Sequence, residues 1–142
     1  NGQVPIIVEI KTGSGPIGII EGAVLQILRG YQGPFAVTSF EARTLAWFRR
    51  REPHWPRGHN VGTRALAPFQ PWWRRLAWRY LYDVDRAQPD FVVYDRHDLP
   101  NWATKRARTA RRPLLSYTIK DRTEMGRLAP HVDNIIFEGF RP

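Results

Sequence analysis

The chain has 142 residues, 42% of them hydrophobic and 25% charged, which is ordinary globular composition and excludes wholesale disorder. Lysine and arginine total 22 against 13 acidic residues, a net charge of +9, and all but Lys11, Lys105 and Lys120 of the 22 are arginines. That balance favours anionic partners such as phosphate esters, nucleic acid or acidic lipid, and the absence of cysteine removes disulfides, thiolate catalysis and cysteine-ligated zinc.

A cysteine-free chain fits a reducing compartment, so a cytoplasmic location is expected. The apolar runs, such as Ile6-Ile7-Val8 and Phe91-Val92-Val93-Tyr94, fall far short of the roughly 20 residues of a membrane helix, so no membrane span is expected. Asn1-Gly2 precedes a strand-like run directly, with no Met and no signal-peptide pattern, which reads as an interior point of a longer protein.

In chain order, Pro5 to Ile10 is a β-branched run that predicts a buried strand. Val24, Ile27, Leu28 and Tyr31 recur at helical spacing, and Gly33-Pro34 breaks the pattern. Phe35 to Ser39 predicts the second strand. Glu41 to Arg51 predicts a helix that buries Leu45 and Phe48, with Arg49 to Arg51 at the end where cations suit the macrodipole. His54 to Gly58 allows a short strand despite two prolines nearby. Pro71 to Tyr82 predicts a helix with Trp72, Leu76 and Tyr80 on one side.

Asp90 to Tyr94 predicts the next strand, and Asn101 to Arg112 a basic helix whose small side is Ala103, Ala107 and Ala110. Pro113 to Ile119 predicts another strand. Asp121 and Glu124 have capping-box spacing for a helix through Leu128, and Asn134 to Phe137 predicts the last strand. Six strands alternating with about five helices is the β-α grammar of a parallel sheet covered by helices.

In such folds ligands gather at the C-terminal ends of the strands, where this chain places Glu9, Lys11, Ser39, Tyr94, Asp95, Tyr117, Thr118 and Glu138. Glu9 and Lys11 alternate, so they share one face of their strand. Together they suit a divalent cation and an anionic oxygen, or they form a structural ion pair. Gly13 to Gly18 matches G-x-G-x-x-G after a strand, but Pro16 lacks an N–H and no acidic residue follows at the dinucleotide distance, so a loop is the better reading.

His54, His59, His97 and His131 have no metal or nucleophile-elbow spacing and read as surface or loop histidines. Asp95, His97 and Asp98 cluster after a strand, and a helix-entry turn explains them more simply than a metal site. Trp72-Trp73-Arg74-Arg75 and Trp78-Arg79-Tyr80 interleave arginines with aromatics as a nucleic-acid groove does, but at helical spacing the packing of arginine stems over rings accounts for them.

Four segments in order carry a resemblance to the glycerophosphodiester phosphodiesterase family. Ile7-Val8-Glu9-Ile10-Lys11 resembles its E-I-K strand and Val37-Thr38-Ser39-Phe40 its S-F strand end. Leu115-Ser116-Tyr117-Thr118-Ile119 resembles its W-T-V strand, and Asn134 to Pro142, with Ile-Ile-Phe-Glu-Gly-Phe, its closing segment. The resemblance implies a TIM (β/α)8 barrel of about 250 residues, of which residues 1–142 form the C-terminal part of a single barrel domain, about strands three to eight. The family's H-R-G and E-x-D segments and its second histidine do not occur here.

By that resemblance Glu9 is one ligand of a divalent metal, magnesium or calcium, and Lys11 is the catalytic lysine that steadies phosphate charge. Ser39, Phe40, Tyr117 and Glu138 fall on substrate-binding positions, with Tyr117 in place of the usual Trp and Glu138 in place of the usual Asp. The implied activity is metal-dependent hydrolysis of a small anionic phosphodiester to sn-glycerol 3-phosphate and an alcohol, with this part of the chain inactive alone. Self-association or pairing with an N-terminal half is the implied partnership, since strands three and eight are otherwise open edges. The alternative from another class is a basic α/β nucleic-acid-binding module.

Overall fold

The computed structural model describes residues 4–13, 15–62, 71–73 and 87–142. They fall into two compact units, residues 1–60 with 84–90, and residues 61–83 with 91–142. The expected helix from Pro71 to Tyr82, with Trp78, Arg74, Arg75 and Arg79, lies almost wholly outside the described residues.

The first unit is built on parallel strands β1 (Ile6–Glu9), β2 (Phe35–Ser39) and β3 (Arg57–Val61, its last residue assigned to the second unit). Helices α1 (Ile19–Arg29) and α2 (Ala42–Arg51) make the crossovers. Ile10, Leu25, Leu28, Val37, Trp47 and Phe48 form its core, and Val8, Tyr31, Phe35 and Trp55 pack against it. Phe35 and Trp55 meet edge-on with centroids 4.8 Å apart, a geometry that suits the ring quadrupoles.

Two local expectations change here. Helix α1 buries Glu21, Leu25 and Leu28, whereas Ile27 is 73% exposed. The apolar face predicted from Val24, Ile27, Leu28 and Tyr31 is therefore rotated, because the carboxylate of Glu21 has partners that take it inside. The third strand starts after Pro56, not at His54, since proline has no N–H for the ladder. That shift makes Arg57, His59 and Asn60 buried strand residues. His59, expected on a loop or surface, is 1% exposed in the middle of a strand.

Arg57 is buried at the N-terminal end of β3. Its guanidinium donates to the carbonyls of Pro53, at 3.1 Å, and Trp55, and pairs with Asp90 at 3.2 Å. Burying a guanidinium is tolerable only with such partners.

The second unit has parallel strands β4 (Phe91–Asp95), β5 (Leu114–Ile119) and β6 (Asn134–Phe137). A 3-10 turn (Arg96–Asp98) follows β4, and helices α3 (Trp102–Thr109) and α4 (Arg122–Leu128) connect the strands. Ala103 and Ala107 of α3 are buried as the small-residue pattern predicts, while Ala110 is the exposed C-cap. Val92, Tyr94, Leu114, Ile119 and Leu128 are fully buried. Asp121 caps α4 by accepting from Glu124 N at 2.8 Å, so half of the predicted capping box forms. The Glu124 carboxylate instead accepts from Lys120 N and pairs with Arg96, both at 3.1 Å.

Candidate functional site

The face of β1 is decided by packing. Val8 and Ile10 belong with the helix-facing core, so Ile7, Glu9 and Lys11 project to the other side. Lys11 Nζ lies 3.9 Å from Glu9 Oε1, with the lysine side chain 80% exposed and the glutamate 37%. The pair therefore stands at the C-terminal end of a strand, accessible to solvent. Glu9 pairs in register with Thr38, which is buried on the same face. Asn60, two residues past Gly58 in register with Thr38, reaches Thr38 Oγ1 at 3.5 Å, and its own Oδ1 is buried without a partner among the described residues.

Thr38 and Asn60 thus stand beside the Glu9 column. The Glu9-to-Thr38 step could be read from strand alternation once register is known; Asn60 was hidden because β3 begins later than its sequence suggests.

Ser39 stands on the opposite face of β2 from Thr38. It is 1% exposed on the Val37 face, donates to Ile10 O at 2.8 Å and accepts from Glu41 N at 3.1 Å. Its hydroxyl ties the ends of β1 and β2 together. Phe40 follows it just past the strand end and is half-buried.

The loop after Lys11 is pinned from beneath. Glu21 is fully buried and accepts from Thr12 at 2.9 Å, Thr44 at 2.6 Å and Gly18 N at 2.7 Å. Burial raises the carboxyl, but the hydrogen bonds from Thr44, Gly18 and Thr12 outweigh it and hold its pKa below the ordinary value. Gly18 has φ 117°, a conformation glycine adopts without strain. Because the Gly18 N–H is spent on Glu21, it does not point at a ligand phosphate, and the G-x-G-x-x-G segment is an anchored loop rather than a dinucleotide cradle.

In the second unit Tyr117 donates to Val61 O at 3.2 Å. Gly62 lies against it so closely that a Cβ there would stand 2.4 Å from the Tyr117 hydroxyl and 2.9 Å from Asp95 Cβ. Asp95 accepts from His97 N at 2.9 Å, which makes Asp95, His97 and Asp98 the turn that their sequence suggested. Glu138 is exposed and paired with Lys120, whose hydrogen bond and charge lower its pKa. Sequence reasoning missed Lys120 as that partner.

Among the described residues no group of three or more His, Cys, Asp or Glu side chains is placed to hold a metal ion. Glu9 offers one carboxylate, and its charged neighbour is an ammonium, so these residues do not by themselves make a metal centre. No helix among the described residues is long and apolar enough to cross a membrane.

No protein-family model matches the sequence, and no curated protein matches it. Solved structures do. A protein from Silicibacter pomeroyi described as a glycerophosphoryl diester phosphodiesterase superposes with a TM-score of 0.74 at 20% identity, over 92% of this chain and 45% of that one. An Oleispira antarctica phosphodiesterase, solved with the product sn-glycerol-3-phosphate, gives 0.63 at 16% identity, over 83% of this chain and 44% of its own. A Thermotoga maritima glycerophosphodiester phosphodiesterase gives 0.63 at 13% identity, over 92% of this chain and 52% of its own. The chain spans about half the length of these structures. Its six parallel strands have the fold of part of a TIM barrel, the one these glycerophosphodiester phosphodiesterases share.

Proposed function

We propose that this chain is the C-terminal part of a phosphodiester hydrolase that splits glycerophosphodiesters into sn-glycerol 3-phosphate and an alcohol. The observation that carries the reading is the Glu9–Lys11 pair, 3.9 Å apart and accessible at a strand C-terminal end, in a fold shared with phosphodiesterases. Strand C-terminal ends are where barrels of this kind do chemistry. Lys11 supplies a mobile positive charge for the phosphodiester, and its own counter-ion, Glu9, is held beside it. Thr38 and Asn60 line the same face with polar groups, and Phe40 adds an aromatic ring for the glycerol carbons.

Metal dependence belongs to this reading through Glu9 as one ligand. The described residues supply no second and third ligand beside it. The chain alone is accordingly inactive, and strands supplied by an N-terminal half, or by a second copy, complete it. A nucleic-acid module is not favoured, since the superposed structures are phosphodiesterases.

The test is hydrolysis of glycerophosphocholine by the full-length protein, with and without a chelator. Glu9→Ala and Lys11→Ala should each lower kcat/KM by about a hundredfold or more, the order seen when one charge-stabilising group is lost. Unchanged turnover in both variants refutes the assignment.

A further inference from the structure

At the end of β5 opposite Tyr117, a cavity of about 330 Å³ is lined by Arg108, Arg111, Arg112, Pro113 and Asp133. We propose that it binds the phosphate group of a small organic phosphate. The arginines come together because α3 ends in a Schellman motif: Arg112 N donates to Ala107 O at 3.1 Å and Arg111 N to Arg108 O at 2.9 Å. The motif turns the chain sharply and leaves three arginines lining one hollow.

Charge accounting favours an anion. Arg108 donates to Pro130 O at 3.0 Å and lies 3.8 Å from Asp133, whose other oxygen accepts from Leu114 N at 2.7 Å. Asp133 therefore offsets one positive charge. Arg111 and Arg112 have no ion pair among the described residues, so two positive charges remain for a phosphate dianion. Guanidinium groups meet phosphate oxygens through paired N–H donors, a fit that single ammonium groups lack.

The helix macrodipole accounts for Arg108, which sits in the last turn, but not for the two arginines beyond it. Arg111 has φ 55°, at the one position of the motif where glycine is the usual occupant. An arginine there combines a strained backbone with a long cationic side chain, which a purely structural cap does not call for. The cavity has room for a phosphate with an organic group attached, and Asp133 is placed to accept from a ligand hydroxyl.

This site is independent of the hydrolase reading. The experiment is calorimetric titration of the protein with inorganic phosphate and with glycerol 3-phosphate, beside flotation with phosphatidic acid or phosphatidylcholine vesicles. Arg111→Gly and Arg112→Gln are the variants, the first relieving the left-handed strain so that it melts no lower than wild type. Binding of the soluble probes, weakened about tenfold or more in each variant, supports a free organic phosphate as the source. Binding confined to phosphatidic acid vesicles, and lost in the same variants, supports a lipid phosphate. Absence of binding in every arm, or binding that both variants leave unchanged, overturns the proposal.

Discussion

The hydroxyl of Thr44 on α2 donates to the carboxylate of Glu21 on α1 at 2.6 Å, with both side chains fully buried. Two helices are joined by a charge-assisted hydrogen bond, and Thr12 closes the triangle, 2.7 Å from Thr44 and 2.9 Å from Glu21. The loop that follows Lys11 rests on this cluster. Thr44→Val keeps the shape and removes a donor from a buried carboxylate. It should lower stability by about 1–3 kcal/mol, read from denaturant midpoints at unchanged slope.

His59 carries a pH dependence. Burial lowers its pKa from 6.5 to about 4, against a weak upward pull from Glu41. The native state therefore holds it neutral, while the unfolded chain takes up a proton below pH 6.5. Stability from this residue is complete above about pH 6.5 and is lost as pH falls toward about 4, by roughly 3 kcal/mol in all. Thermal melts of His59→Gln between those pH values should show a flatter slope than wild type. An equal slope would place the acid sensitivity elsewhere.

Gly62 tests the geometry around Tyr117. The added methyl of Gly62→Ala would overlap the Tyr117 hydroxyl at 2.4 Å and crowd Asp95 at 2.9 Å. Overpacking of this kind costs about 1–3 kcal/mol. Tyr117→Phe removes the overlapping oxygen, so the double variant should regain part of that loss in a double-mutant cycle of melting midpoints.

Edges set the fourth expectation. Among the described residues β1 pairs only with β2, and β6 only with β5. Ile6 is 38% exposed, Ile7 46% and Phe137 44%, which makes both outer strands apolar templates for pairing. Sedimentation of the 142-residue chain should find dimers or larger species, or a single complex when an N-terminal half is co-expressed. A stable monomer that unfolds cooperatively would show that the edges need no partner.

Much of the architecture is legible in the sequence. Five of the six strand segments, all but the third, and the helices after the first, second, fourth and fifth strands follow from apolar runs punctuated by Gly33-Pro34, Gln88-Pro89 and Pro113, because period and breakers are local properties. The Glu9–Lys11 pair was legible for the same reason: alternation alone puts both on one face, and the ion pair forms there.

What tertiary structure decided was which side faces in, and what a polar residue does once inside. Glu21 is a core residue because Thr12 and Thr44, distant in sequence, bring hydroxyls to it. Ser39 and Phe40 were adjacent candidates, yet packing of Val37 against the helices buried Ser39 while Phe40, just past the strand, stays half-buried. His59 and Asn60 entered the interior when β3 started past Pro56 and took its register from β2. Burial and hydrogen-bond partnership are set by residues far along the chain, so no local pattern carries them, whereas the period of a strand is written in the strand itself.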